Sequence, residues 1–217
     1  MPRLKLQRFQ QNADAPNVIE RGKPVYETIK GRWHTDYFGN ENPIVLELAC
    51  GKGEYTVGLA EVYPEKNFIG IDIKGERIAR GSQQALERGL VNVAFVRTDI
   101  RYLTEFFAGQ EIAEIWITFP DPQPRPKQDK HRLTHPRFLS VYKQLLINNG
   151  TLHLKTDSRE LFEYSLQTLT DQKYHTILFT NDLYNSHLYN IHNNIKTTYE
   201  QIFHTLGFTI NYINCKF

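Results

Sequence analysis

From Pro43 onward, short apolar runs alternate with stretches in which apolar residues recur every three to four positions, the pattern of a parallel sheet covered by helices. The runs PIVLELA (43–49), NFIGIDI (67–73), NVAFVRT (92–98), EIWITF (114–119) and TLHLKT (151–156) have strand length and are rich in β-branched or aromatic residues, so each predicts a central or near-central strand. Between them, EYTVGLAEVYP, GERIARGSQQALERG, DIRYLTEFFAG, RFLSVYKQLLINNG and SRELFEYSLQTLTDQ carry the helical spacing, several ending at Gly or Pro. Two further strands, HTILFTNDLY (175–184) and GFTINYINCKF (207–217), flank a helical segment, IKTTYEQIFHTLG, and pair antiparallel at one edge. The expected architecture is α/β: a seven-stranded, mostly parallel sheet with an antiparallel edge strand and helices on both faces. No internal repeat or low-complexity tract interrupts it. Residues 1–40 differ: Arg3, Lys5, Arg8, Arg21, Lys23, Lys30 and Arg32 stand against four acids with no clear periodicity. They predict a basic, partly ordered N-terminal arm, with 41–217 as one domain.

Composition narrows the class. The chain has 217 residues, 40% hydrophobic, 12% aromatic and 23% charged, enough apolar side chain for a core and too much for disorder. No run reaches the ~20 apolar residues of a membrane helix, and the N-terminus lacks a signal-peptide core, so a soluble, cytoplasmic protein with no membrane role is expected. Cys50 and Cys215 form no CxxC pattern. A metal is not expected either: His131 and His135 are separated from a helical ligand pair by Pro136 and the proline loop before it, and His187 and His192 lack a third ligand. Net charge is only +2, but it is unevenly spread: Arg125, Lys127, Lys130, Arg132 and Arg137 face the single acid Asp129. This run is either a solvated basic loop or a grip for phosphates, with Lys127, Lys130 and Arg132 as candidates for an RNA backbone.

The first strand runs into Glu47-Leu48-Ala49-Cys50-Gly51-Lys52-Gly53, where Gly51 and Gly53 let the backbone pass close under a ligand at the carboxyl edge of the sheet. Asp72 ends the second strand, placed to accept both ribose hydroxyls of a nucleoside, and Asp99 follows the third. Taken singly, Asp72 and Asp99 read equally as helix N-caps; taken with the glycine loop, they outline a nucleoside cofactor across three strand tips. Thr56 fills the last glycine position of a dinucleotide motif, which argues against NAD. The acid before the loop, the short helix and the reversed terminal strand resemble the Rossmann-like class I S-adenosylmethionine-dependent methyltransferases. Ala49 stands where their loop has its first glycine.

Strand four opens into Phe119-Pro120-Asp121-Pro122-Gln123-Pro124-Arg125-Pro126-Lys127, where four prolines in seven residues forbid regular structure and hold Asp121 at a fixed place. Together with GRW and FGN at 31–40, ELACGKG, Lys130-His131-Arg132-Leu133, HLKTDSRELFEYS and TTYE, this loop is similar in order and spacing to the bacterial tRNA (guanine-N7-)-methyltransferases, from Gly31 to the C-terminus. The resemblance implies S-adenosyl-L-methionine as cofactor, tRNA as partner and the variable-loop guanine 46 as target. It further implies that Glu47, Asp72, Asp99 and Asp121 contact the methyl donor, with Asp121 catalytic, and that Arg125, Asp157 and the Thr197–Glu200 segment, Tyr199 included, bind the guanine. Gln123 replaces the family's usual Trp, and Arg125 its usual Lys.

Guanine N7 has a lone pair and no proton, so its attack on a sulfonium methyl needs no general base, and catalysis is expected to be mostly alignment. Asp121 and Asp157 suit acceptors for the N1 and N2 hydrogens of the base. Thr197-x-x-Glu200 also has the spacing of a capping box. Two alternatives stand beside this reading: an inactive RNA-binding scaffold of the same fold, and an amino-group methyltransferase, whose loop has an aromatic where Pro124 stands here. Monomer and homodimer both remain open.

Overall fold

The computed structural model describes residues 2–217; the side chains of residues 2–5, Pro126, His175, Thr176 and His192 lie outside the described residues. In chain order the elements are α1 (Pro2–Asp14), β1 (Val18–Ile19), β2 (Ile44–Leu48), α2 (Glu54–Val62), β3 (Asn67–Asp72), α3 (Gly75–Glu87), β4 (Val93–Arg97), α4 (Leu103–Phe106), β5 (Ile112–Thr118), α5 (Pro136–Leu145), β6 (Leu146–Thr156), α6 (Arg159–Asp171), β7 (His175–Thr180), α7 (Thr198–Thr205) and β8 (Asn211–Lys216). They form one sheet in the order β1-β4-β3-β2-β5-β6-β8-β7. The reversed strand is β8, inserted one place from the edge and antiparallel to both β6 and β7.

The sheet has eight strands rather than seven, and the extra one comes from the N-terminal arm. Val18 and Ile19 pair in parallel with Phe95 and Val96 of β4 and are fully buried. Two residues are too few to carry a period-2 signal, so the strand is invisible in the sequence pattern. The arm is fastened at two further places. Lys23 Nζ donates to the carbonyls of Asn12 (2.8 Å), Ala15 (2.5 Å) and Val18 (2.7 Å), closing the C-terminal end of α1 with a cation where the helix dipole favours one. The Arg97 guanidinium lies 4.5 Å from the Phe9 ring centroid and 3.1 Å from Glu20.

The expected helix RFLSVYKQLLINNG stops early. Leu146 already pairs with Ile112, and the polar residues after it bulge outward, with Asn149 at a left-handed φ of 62°, before regular pairing resumes at Thr151. DIRYLTEFFAG forms a 3-10 turn and a single helical turn rather than one helix.

Alternation divides the core into two layers. Ile44, Leu46 and Leu48 point to the face covered by Phe138, Tyr142 and Phe162; Val45 points to the face of Tyr55, Ile78 and Ala85. Glu47 shares Val45's face by the same period of two, so β2 carries a carboxylate into an apolar layer. Among the described residues no helix is long and apolar enough to cross a membrane, and no three His, Cys, Asp or Glu residues are grouped so as to hold a metal ion.

Candidate active site

The carboxyl ends of β2, β3 and β5 and the start of α7 surround a cavity of about 240 Å³, which adjoins a second of about 410 Å³ toward β4 and α5. Ala49 and Asp72 line both. This is the crevice in which open α/β sheets bind ligands.

The β2–α2 loop is shaped by close packing. Gly53 has a φ of 70°, and a Cβ there would lie 2.6 Å from the Phe95 ring and 3.1 Å from the Gly81 Cα. Gly53 thus lets the start of α2 approach α3; it faces the protein and not the cavity. Gly51 is the opposite case: it lines the cavity, and a Cβ on it would meet nothing within 4 Å. Ala49 adopts a φ of 57°, the left-handed region that costs a residue with a Cβ roughly 1–2 kcal/mol.

The acids differ in how they are held. Asp72 is buried and takes one backbone N–H on each oxygen, Gly51 N at 2.9 Å on Oδ2 and Lys74 N at 2.8 Å on Oδ1. Each oxygen keeps a lone pair, and the carboxylate opens onto both cavities, as a pair of vicinal ribose hydroxyls requires. Asp99 is both a cap and a pocket residue. It accepts from Arg101 N at 2.9 Å, from Arg101 Nε at 3.0 Å and from Nη2 at 2.7 Å, and the hydrogen bond from this guanidinium holds its carboxyl below the usual range. Glu47 lines neither cavity. It is 3% exposed and saturated by Thr56 N (2.8 Å), the Thr56 hydroxyl and Thr118 Oγ1 (2.6 Å), and burial pushes its carboxyl up to about 7. The acid is thereby placed beneath the cleft, fastening α2 and β5 to β2.

Asp121 lines the 240 Å³ cavity at an exposed position and accepts Gln123 N at 3.1 Å. The loop around it is braced from below by Arg132. That side chain donates to the Gln123 carbonyl at 3.1 Å, pairs with Glu160 and lies 4.4 Å from the Tyr164 ring centroid. Arg132 is only 4% exposed, so it holds the proline loop rather than presenting a charge to solvent. Arg125, Lys127 and Lys130 remain exposed on or beside the 3-10 turn that follows. Asp157, half-buried at the end of β6, has its carboxyl raised by burial and lines neither cavity.

The last wall is the start of α7. Thr197 Oγ1 accepts Glu200 N at 3.1 Å, the first half of a capping box. The reciprocal half is absent, because the Glu200 carboxylate turns inward: it is fully buried against Lys155 Nζ at 2.8 and 2.9 Å and accepts the Tyr184 hydroxyl at 3.0 Å. Thr198 is tied to α2, its N–H donating to Glu54 at 2.7 Å and its hydroxyl to the same carboxylate. These two links leave Thr197, Thr198 and Tyr199 facing the cavity. Of the residues singled out in sequence, the fold therefore gathers Gly51, Asp72, Asp121, Thr197 and Tyr199 around one cavity and puts Asp99 in its neighbour; Glu47, Gly53, Arg132 and Glu200 support the walls from behind. Sequence reasoning missed Lys52, Glu54, Lys74, Arg77 and Lys155. Only Lys155 carried a signal, a charge within an apolar strand run.

Sheet order, reversed β8, glycine loop and the Asp72 cradle define a class I methyltransferase fold, whose methyl donor is S-adenosylmethionine. Among solved structures, the 16S rRNA methyltransferase KamB matches with a TM-score of 0.64 at 12% identity over 92% of this chain and 98% of its own. The methyltransferase family described as "Putative methyltransferase" matches residues 41–212. Curated proteins named tRNA (guanine-N(7)-)-methyltransferase match at higher identity. The one from Cytophaga hutchinsonii is 47% identical over 100% of this chain and 99% of its own, and that from Porphyromonas gingivalis 53% identical over 86% and 76%. The chain belongs to the tRNA (guanine-N7-)-methyltransferase family.

Proposed function

We propose that this protein transfers the methyl group of S-adenosylmethionine to N7 of guanine 46 in the variable loop of tRNA, with residues 41–217 as the methyltransferase domain and 1–40 as an arm. The observation that carries the reading is Asp121 sharing one cavity with Gly51, Asp72 and Tyr199 in a chain that aligns end to end with enzymes of that name. The residues fit the donor: Gly51 leaves an open flank, and Asp72 keeps acceptor capacity for a ribose. When bound, the donor supplies an electrophilic methyl on a sulfonium.

The chain supplies alignment. Asp121 accepts hydrogens from the Watson–Crick edge of the guanine, fixing the ring and offsetting the positive charge that develops as N7 is alkylated. Asp157 assists from the adjoining strand end, and Tyr199, half exposed at the cavity wall, offers a ring for the base. Arg125, Lys127 and Lys130 lie outward of the loop, where tRNA phosphates pass.

The test is labelled methyl transfer to unmodified tRNA with guanine 46 intact or replaced, the product mapped by reduction and aniline cleavage. Equal labelling of both RNAs defeats the site assignment, and label without cleavage points to an amino group instead. Asp121→Ala should lower kcat/KM by about 10²-fold or more; full turnover would remove Asp121 from the mechanism.

A further inference from the structure

Lys52 in the β2–α2 loop, Lys74 in the turn before α3 and Arg77 in its first turn all line the cavity that holds Asp121. None of the three enters an ion pair or a side-chain hydrogen bond among the described residues, although Arg32, Lys66, Arg88, Arg97, Arg101, Arg132, Lys155 and Arg159 all do. The carboxylates of the same cavity are engaged elsewhere: Glu54 by Thr198, Asp72 by two backbone N–H groups, Asp121 by Gln123 N. Gathered on one rim and paired with none of these carboxylates, the three cations present a local positive edge that an anionic partner can occupy. Arg80, exposed three residues beyond Arg77 on the same helix face, continues the rim outward.

A base that enters this cavity from a polymer leaves its sugar and phosphates at the mouth. We propose that Lys52, Lys74 and Arg77 grip the phosphodiester backbone beside the target nucleotide, so that the RNA strand crosses the cleft over the α2–α3 rim, opposite the proline loop. This rests on the RNA-methylating reading above. The one other anion of suitable size is the carboxylate of the methyl donor's amino-acid end, and the two sources separate by experiment.

The full-length protein is titrated with unmodified tRNA over a salt series, alongside Lys52→Ala/Lys74→Ala/Arg77→Ala, and both are titrated with S-adenosylmethionine by calorimetry. Each phosphate contact contributes about 0.7–0.9 to the slope of log affinity against log salt, so the triple variant should flatten it by about 2, while Arg77→Lys keeps it. Donor affinity should stay within about twofold of wild type. An unchanged slope overturns the proposal, and so does a loss of about tenfold or more in donor affinity at constant slope, which assigns the cations to the donor carboxylate. If the triple variant fails to fold, Lys74→Gln on its exposed turn replaces it, with an expected slope change of about 0.7–0.9 and the same overturning result. Wild-type protein that binds tRNA but methylates no guanine defeats the proposed activity alone; normal methylation with an unchanged variant slope defeats the rim alone.

Discussion

The wall of the cleft built from the tips of β2, β3 and β4 is held by backbone groups and short-range partners, whereas the wall built from β6 and α7 is held by buried side-chain charge across long loops. Asp72 bonds to Gly51 and Lys74, Asp99 to Arg101 and Glu47 to Thr56, and the one long-range side-chain link among these acids is from Thr118 to Glu47. On the other side, Lys155 and Glu200 meet from 45 residues apart, and Glu54 and Thr198 from 144. Under the proposed function, the first wall would receive a ligand whose shape is constant, and local rigidity would serve it. The second would fit a base presented by a macromolecule, and its geometry depends on how α7 docks. A buried ion pair is costly to desolvate, but once both partners are in place it admits few alternative positions.

The sharpest break falls on that second wall. Lys155→Met leaves the Glu200 carboxylate buried without its cation, and denaturant unfolding should reveal a loss of about 3–5 kcal/mol, most of it recovered in Lys155→Met/Glu200→Gln. A single-variant loss below about 1 kcal/mol would mean that the pair does not anchor α7.

On the first wall the corresponding buried charge is Glu47. Burial raises its carboxyl from 4.5 to about 7, so the folded state holds the proton more tightly than the unfolded one. That contribution is fully present below pH 4.5 and lost as pH rises through about 7. Relative to Glu47→Gln, wild-type stability should therefore fall by about 3 kcal/mol between pH 4.5 and pH 8. Parallel stability curves for the two proteins would contradict this.

The smallest effect belongs to Ala49. Its left-handed φ of 57° suits a glycine, and Ala49→Gly should stabilise by no more than about 1 kcal/mol, since the gain in the fold is partly offset by a freer unfolded chain. A thermal midpoint lower than wild type would indicate that the Ala49 methyl, at the junction of the two cavities, packs usefully.

The strand runs were legible because these strands are buried on both faces and read as near-continuous apolar segments. β1 was not, since Val18–Ile19 owes its place to β4 and to the Lys23 clamp rather than to any pattern of its own. In the site, Gly51, Asp72 and Asp121 could be picked out by their positions after strands, and Thr197 by its cap spacing. Arg132 reads in sequence as one more cation of a basic loop; the structure buries it beneath Gln123 beside Glu160 and Tyr164.

The linear chain alone determined the alternation of strands and helices, the glycine turn, the proline-stiffened loop and the strand-end acids, because each depends on neighbours within a few residues. Tertiary structure decided which charges face the cleft. Glu47, Glu200, Lys155 and Arg132 turn inward to partners, while Lys52, Lys74 and Arg77 line one rim of the cavity with no ion-pair partner among the described residues. That division follows from desolvation: a charge leaves water only where the fold brings a partner to it, and the fold assembles those partners from distant parts of the chain.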